Sequence, residues 1–332
     1  MSAGLQGLAW LLDAAVPAGA VVVALWLDHA FGEPPARWHP VVWMGRYLGA
    51  VGRRIAPPAD AARGLPAPRA WPFVGGALAW CLGAAVVVAV AAMLQHAAGL
   101  LPLALSSLLL GVLLKPLLAW RMLRDEVLAV ESATAQSLEA GRDQLARLVS
   151  RDVRALTEAE VRESAIESLA ENLNDSVVAP LFWFVLFGLP GAALYRLANT
   201  ADAMWGYRGE RGGRIWEWAG KWAARADDVL SWLPARLTAL LLHGLVRRPG
   251  WRVLRREARR TPSPNSGWPM AAMALRLGVR LGKPGVYVLN ADGRVPLAAD
   301  IPRTAAAGAR AVRAMALVAV LAFALGAWVA AG

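Results

Sequence analysis

The sequence predicts an all-α integral membrane protein. About four transmembrane helices are joined by re-entrant or surface helices and by cytoplasm-facing helical loops that form the active site. Three observations predict this. Of 332 residues, 57% are hydrophobic and only 18% are charged, where an average soluble domain is roughly one-quarter charged. Mean hydropathy is +0.42, and two long runs are almost free of charge. The net charge of +11 is uneven along the chain, as in membrane proteins that hold Lys and Arg in cytoplasmic loops.

The elements follow in order within one polytopic domain, residues 1–332. The first apolar segment, residues 8–27, lacks a basic n-region and an evident cleavage site, so it reads as a retained membrane segment, flawed by Asp13. Residues 73–95, "FVGGALAWCLGAAVVVAVAAMLQ", span by themselves at 1.5 Å rise per residue. Residues 101–120 are about long enough, and the short "HAAGL" before them predicts an antiparallel helical hairpin. Lys115 and Pro116 interrupt that second arm near its end, where the lysine is expected to snorkel towards water. Residues 177–197 carry Pro180, Gly188, Pro190 and Gly191, and residues 229–245 carry Pro234 and Arg236. Such breaks are tolerated at membrane depth where the backbone is buried in protein or lines a cavity, so both segments read as re-entrant or interfacial. Residues 314–330 make the last span.

Charge orients these segments. Residues 28–72 hold six Arg, 121–176 hold seven, and 246–313 hold fourteen Lys or Arg, while the hairpin tip at 96–100 holds none. The positive-inside rule therefore places the loops 28–72, 121–176 and 246–313 in the cytoplasm, and the re-entrant reading adds 198–228. Residues 56–72 form a Pro-rich linker, and the arginine-rich run 247–260 with Trp251 reads as a helix on anionic lipid. Membrane lipid is thus an expected partner, and nucleic acid is not, because no recognition module accompanies the basic charge. Cys81 is the only cysteine and the four histidines form no i,i+4 pair, which excludes a disulfide and disfavours zinc. A P-loop and a GxSxG elbow are both absent.

Five polar clusters punctuate the apolar sequence. "RESAIESLAEN" puts Glu163, Glu167 and Glu171 on one helical face, extended by Glu160 and followed by Asn172, Asn174 and Asp175. A solvated acidic face would explain the stripe alone. Its continuation into amides and Asp175 beside an apolar segment instead suits a Mg²⁺ that keeps waters and bridges phosphates. "NTADAMWGYRG" supplies Asn199, Asp202, Tyr207 and Arg208, with Asn199 and Asp202 three apart. "ARADDVLSWLPAR" supplies Arg225, Asp227, Asp228 and Arg236, with Arg225 and Asp228 on one face. "LDHAFGEPPARWHPVVWMGR" supplies Asp28, His29, Glu33, His39 and Arg46, and "TPSPNSGWPMAAMALRLG" supplies Asn265. This inventory of carboxylate, amide and arginine suits metal-assisted phosphate chemistry.

Taken together, and in this order, the clusters resemble the adenosylcobinamide-phosphate synthase (CobD/CbiB) family of cobalamin biosynthesis. The stretches are "HPVVWMGR", "ESLAENLNDSVVAPLF", "GLPGAALYRLANTADAMWGYR", "ARADDVLSWLPARLTALL" and "SPNSGWPMAAMA". Two departures from the family pattern are Ala201 and Ala203 where Leu and Ser are usual, and Ser176 where Gly often follows Asp175. The resemblance implies a bacterial inner-membrane ligase that joins aminopropanol, or its phosphate, to a propionate of adenosylcobyric acid, using ATP and Mg²⁺. Other corrinoid-assembly membrane enzymes are candidate partners. The implied metal and nucleotide ligands are Glu167, Glu171, Asp175 and Asp202, with Glu171, Asp175, Asp202 and Asp228 as catalytic acids. Arg46, Arg208, Arg225 and Arg236 would meet phosphate. Asn172, Asn199 and Asn265 would position substrate amides, with His39 and Tyr207 completing the binding set. A membrane prenyltransferase and a non-enzymatic regulator resembling AmpE are the rival readings.

Overall fold

A computed structural model describes residues 3–60, 69–244 and 249–331. Most of the Pro-rich linker, Arg247 and Arg248, and the side chains before Ala15, including Asp13, lie outside the described residues. The chain is mostly helical. It forms two compact units, one of Met1–Leu118, Pro180–Leu230 and Ala319–Gly332, the other of Ala119–Ala179 and Ser231–Val318. Four helical runs are long and apolar enough to cross a membrane: Ala70–Gly99, Leu103–Thr134, Glu158–Trp205 and Asp300–Val329; Ala15–Phe31 is a shorter apolar one. Residues 73–95 fall within such a run, and 101–120 and 314–330 do so except for residues 101, 102 and 330.

The first unit contains α1 (Ala3–Phe31), α2 (Pro40–Ile55), α3 (Ala70–Gly99), α4 (Leu103–Leu114), nearly all of α8 (Ala179–Trp205) and α9 (Lys221–Leu230). The expected hairpin of α3 and α4 forms, but α4 packs mainly on α1. Small residues allow this close approach: a Cβ on Gly111 would lie 2.5 Å from Val23, and one on Gly19 would lie 2.9 Å from Ser107 Oγ. Such small-residue contacts drive helix association where no water is displaced. Met44, Leu48, Leu197 and Trp205 form a buried core, and Trp205 Nε1 donates to the Leu48 carbonyl at 3.2 Å. A two-stranded ribbon, β1 (Glu210–Arg211) and β2 (Arg214–Ile215), follows α8.

Helix α8 breaks at Gly188, whose φ of 65° and ψ of −154° are not helical, two residues before Pro190. Gln95 Oε1 of α3 accepts the Leu189 backbone N–H at 2.7 Å, so one amide group freed by the break is satisfied.

The second unit contains α5 (Trp120–Thr134), α6 (Leu138–Leu145), α7 (Glu158–Leu173), α10 (Trp232–His243), α11 (Trp251–Ala258), α12 (Gly267–Leu277) and most of α13 (Asp300–Ala331). Thr157 and Glu160 start α7 with a reciprocal capping box, a device whose hydroxyl is worth ~1 kcal/mol. A single π turn, Asn174–Val178, carries α7 into α8; such turns are frequent at functional sites. α12 is buried along most of its length and stops at Gly278, which takes the left-handed conformation. Strands β3 (Leu281–Lys283) and β4 (Tyr287–Leu289) form a hairpin whose Gly285 has φ 71°. α10 has 12 residues, about 18 Å, which is too short to cross a bilayer alone.

Candidate functional site

The acidic face of α7 is not a solvated stripe. Glu163 and Glu167 are 3% and 5% exposed. The β3–β4 hairpin engages Glu163: Arg280 Nη2 lies 3.3 Å from its Oε1, and the Gly282 backbone donates a second hydrogen bond. A Cβ on Gly282 would come within 3.5 Å of Glu163 Oε2. Arg151 Nη2 lies 3.8 Å from Glu167 Oε2 and also hydrogen-bonds Ser164 Oγ. The Tyr287 phenol hydrogen-bonds Glu167. Burial, followed by the negative charge of Glu167, pushes that phenol's pKa well above its ordinary value. Glu167 Oε1 and Arg151 Nε are buried and have no hydrogen-bond partner among the described residues. Glu171 and Asp175 are half-buried further along the same helical run. Asn174 Nδ2 donates to Asp175 Oδ1 at 2.8 Å while Thr238 donates to Asn174 Oδ1 at 3.0 Å, and Asn172 bonds the Ser168 carbonyl.

The same unit joins two clusters that the sequence keeps 29 residues apart. Arg236 donates to Asn265 Oδ1 at 2.6 Å and to the Pro264 carbonyl at 3.1 Å. Its guanidinium lies over Trp232 and Trp268, 4.5 and 4.8 Å from the ring centroids. Burial lowers its pKa, and the two ring faces supply part of the lost solvation.

In the first unit, Arg225 Nη1 and Asp228 Oδ2 stand 3.7 Å apart, as their spacing predicts. Burial raises the Asp228 carboxyl pKa, with the charges of Arg225 and Arg208 pulling the other way. Tyr207 donates to the Ala203 carbonyl, and Arg211 stacks over its ring at 3.8 Å. Gly206 leaves room for Asp202, because a Cβ there would fall 2.0 Å from Asp202 Oδ1. Asn199 is half-buried on the same helix, while Arg46 and Arg208 are exposed.

Lys115 corrects an expectation. It does not snorkel; it is 6% exposed, with Nζ 3.0 Å from Glu33 Oε1 and 3.4 Å from Asp28 Oδ1. Two carboxylates from the end of α1 and the loop after it supply the solvation that water would otherwise provide. His39 Nε2 joins Glu33 Oε2 at 2.9 Å. Burial alone would raise the Glu33 pKa, but hydrogen bonds from His39 and Lys115 and the lysine's charge outweigh it, and the carboxyl sits below its ordinary value.

Sequence reading missed Arg151, Arg280, Lys283, whose charge acts on Glu167, and Tyr287. The signal for the last three was the turn "GKPG" between two short β-prone triplets.

These features define a mostly helical protein with membrane-length apolar helices and carboxylate, arginine and amide clusters beside them. The family model described as "CobD/Cbib protein" matches residues 21–318. The chain belongs to the CobD/CbiB family. A relative named "Cobalamin biosynthesis protein CobD" from Chromobacterium violaceum is 43% identical over 294 residues, covering 88% of this chain and 89% of that protein. "Probable cobalamin biosynthesis protein CobD" from Methanothermobacter thermautotrophicus is 41% identical, covering 81% and 86%. The Rhodobacter capsulatus protein named "Cobalamin biosynthesis protein CobD" is 36% identical, covering 91% and 96%. No solved structure matches the chain.

Proposed function

We propose that this chain acts in cobalamin biosynthesis as an ATP-dependent amide ligase. It joins (R)-1-amino-2-propanol phosphate, or the free amino alcohol, to a propionate of adenosylcobyric acid, giving adenosylcobinamide phosphate from the phosphorylated amine. The observation that carries this reading is the family match from residue 21 to 318, which contains all five polar clusters.

A carboxylate is a poor electrophile because its charge repels an amine and oxide is a poor leaving group. Transfer of the ATP γ-phosphoryl group to a propionate oxygen gives an acyl phosphate. Attack by the neutral amine then forms the C–N bond and expels phosphate, with ADP as the other product. Asp228 is the base that takes the proton from the amine as it attacks, and its raised pKa makes it a stronger base than an ordinary aspartate. Arg208 and Arg225 beside it are the phosphate contacts in the first unit, where planar guanidinium forks suit bidentate binding.

Magnesium fits as a partner of the nucleotide. Among the described residues no three His, Cys, Asp or Glu side chains converge as a metal site, yet Glu167 has a buried carboxylate oxygen without a hydrogen-bond partner. That combination suits an ion held by one or two carboxylates, waters and substrate phosphates. Glu167, Glu171 and Asp175 are the proposed carboxylates in the second unit, and Asp202 is the one proposed in the first. When bound, the ion neutralises charge on the transferred phosphoryl group.

The test is reconstitution of purified protein in detergent with adenosylcobyric acid and either amine. The expected result is a cobinamide amide formed only with ATP and Mg²⁺, with ADP and phosphate released. Release of AMP would replace the acyl phosphate by an adenylate. Folded protein that makes no amide from either amine would overturn the ligase reading in favour of a regulator.

A further inference from the structure

One cavity in the first unit has no role in the proposed chemistry. It encloses about 1020 Å³ between α1, α2, α3, the end of α4 and α8, at the upper end of the range for small-ligand pockets, roughly 300–1,000 Å³. Its wall is almost wholly hydrocarbon, with Leu82, Val86, Val90, Leu113 and Ala193 among the lining residues. Charge enters only through Glu33 and Lys115, which pair with each other at 3.0 Å. Trp38 and Trp43 line the cavity from the same loop-proximal region as Glu33, and they are 64% and 48% exposed. The cavity is therefore amphiphilic along its length, apolar in its body and aromatic with a charged pair at one end.

We propose that this cavity is a lipid site that takes the acyl chain of a membrane phospholipid, with the headgroup at the Trp38–Trp43–Lys115 end. Three observations select that occupant. Leu82, Val86 and Val90 line the cavity and are also 61%, 54% and 50% exposed, so its wall is continuous with the outer face of α3, a helix of membrane length. Tryptophans collect at the level of lipid headgroups because their rings are amphipathic, and two of them mark the polar end. The corrinoid substrate does not fit, because its rim of amides and carboxylates would face a wall with almost no polar partners, and each unpaired polar group is costly. Nucleotide phosphates are excluded on the same ground. This inference stands apart from the ligase reading and does not require it.

The experiment uses the full-length protein in nanodiscs containing phosphatidylethanolamine that carries a photoactivatable diazirine in mid-chain. After irradiation, labelled positions are mapped by peptide mass spectrometry. Labelling several-fold higher at Val86, Val90 and Leu113 than at Leu321 and Leu325 on the exposed face of α13 is expected. Ala193→Trp, which puts an indole into the cavity, is expected to lower the excess at Leu113 and leave the α13 signal unchanged. Val90→Trp, at a lining position that is also half-exposed, replaces it if Ala193→Trp elutes as aggregate. Equal labelling of cavity and α13 positions would reduce the cavity to ordinary bilayer contact and overturn the proposal. So would an excess undiminished in the Ala193→Trp variant, or native mass spectrometry showing corrinoid retained in competition with the lipid.

Discussion

Arg236 of α10 donates to Asn265, 29 residues away, at 2.6 Å, from a position between the rings of Trp232 and Trp268. The contact ties α10 to the approach of α12. It also means that Arg236 carries its polar contacts before any substrate arrives. Its proposed phosphate role therefore has to coexist with a structural one.

Asn265→Ala is expected to destabilise the protein, because a guanidinium half-buried on aromatic rings loses an acceptor. The cost of leaving such a donor unsatisfied is about 1–3 kcal/mol. A detergent-phase thermal melt measures it. Arg236→Lys should melt as low as Arg236→Ala, since an ammonium cannot reproduce the planar fork and the stacking together. Recovery with lysine would show that charge alone matters there.

The carboxylate roles separate from folding in the pair Asp175→Asn and Asp202→Asn. Each is isosteric, so each should leave the protein inserted and monodisperse while lowering ligation by a hundredfold or so, the scale of lost transition-state electrostatics. Gly206→Ala should act in the same direction as Asp202→Asn, because the new methyl group occupies the place of Asp202 Oδ1. Full activity in Gly206→Ala at limiting Mg²⁺ would remove Asp202 from the site.

Asp228 sets a pH dependence. Its raised pKa places the acid limb of the rate profile above the ordinary aspartate value of about 3.9, with activity falling as pH drops through it. Asp228→Asn should lower the rate and abolish that limb. A lowered rate with the limb intact would assign the base elsewhere.

Glu33 gives the opposite sign for stability. Its pKa is held below the ordinary value, so its contribution is present above the unfolded glutamate pKa of about 4.3 and lost as pH falls through the folded value. Glu33→Gln should flatten the acid side of a melting-temperature profile. Lys115→Met is expected to be worse than Glu33→Gln at neutral pH, because it strands buried carboxylates, and breaking such pairs costs about 3–5 kcal/mol.

Orientation is testable with single cysteines in a Cys81→Ala background. Cys81 is exposed, so it must be removed first. Cysteines at Asp60, Glu210 and Asp292 should all be labelled from the cytoplasmic side. Labelling of position 210 from the opposite side alone would make residues 177–197 a span and remove the re-entrant arrangement.

The long apolar helices were legible because length and absence of charge are local properties. So was the Arg225–Asp228 pair, whose spacing of three residues fixes its geometry. The Glu163–Glu167 face was visible as a stripe, but its burial was not. What covers it is a hairpin of three-residue strands, too short for an alternating pattern to stand out, contributed from more than a hundred positions downstream. Lys115 was misread for a related reason. Near the end of an apolar helix a lysine reads as a snorkelling cation, and only the return of the chain shows Asp28 and Glu33 beside it. The two-unit division likewise depends on which distant segments pack together, and composition carries no record of that.

The break in α8 constrains the order in which this part of the sequence can change. Gly188 resists a side chain on two grounds: its φ of 65° is one that L side chains rarely adopt, and the new Cβ would fall 2.3 Å from Gln95 Oε1, so the glutamine would have to shift. Gln95 cannot become apolar while the break persists, because the Leu189 N–H would lose its acceptor. The glycine is held by its own backbone and the glutamine by the break that the glycine makes, so position 95 drifts freely only in a descendant whose helix has first straightened at 188.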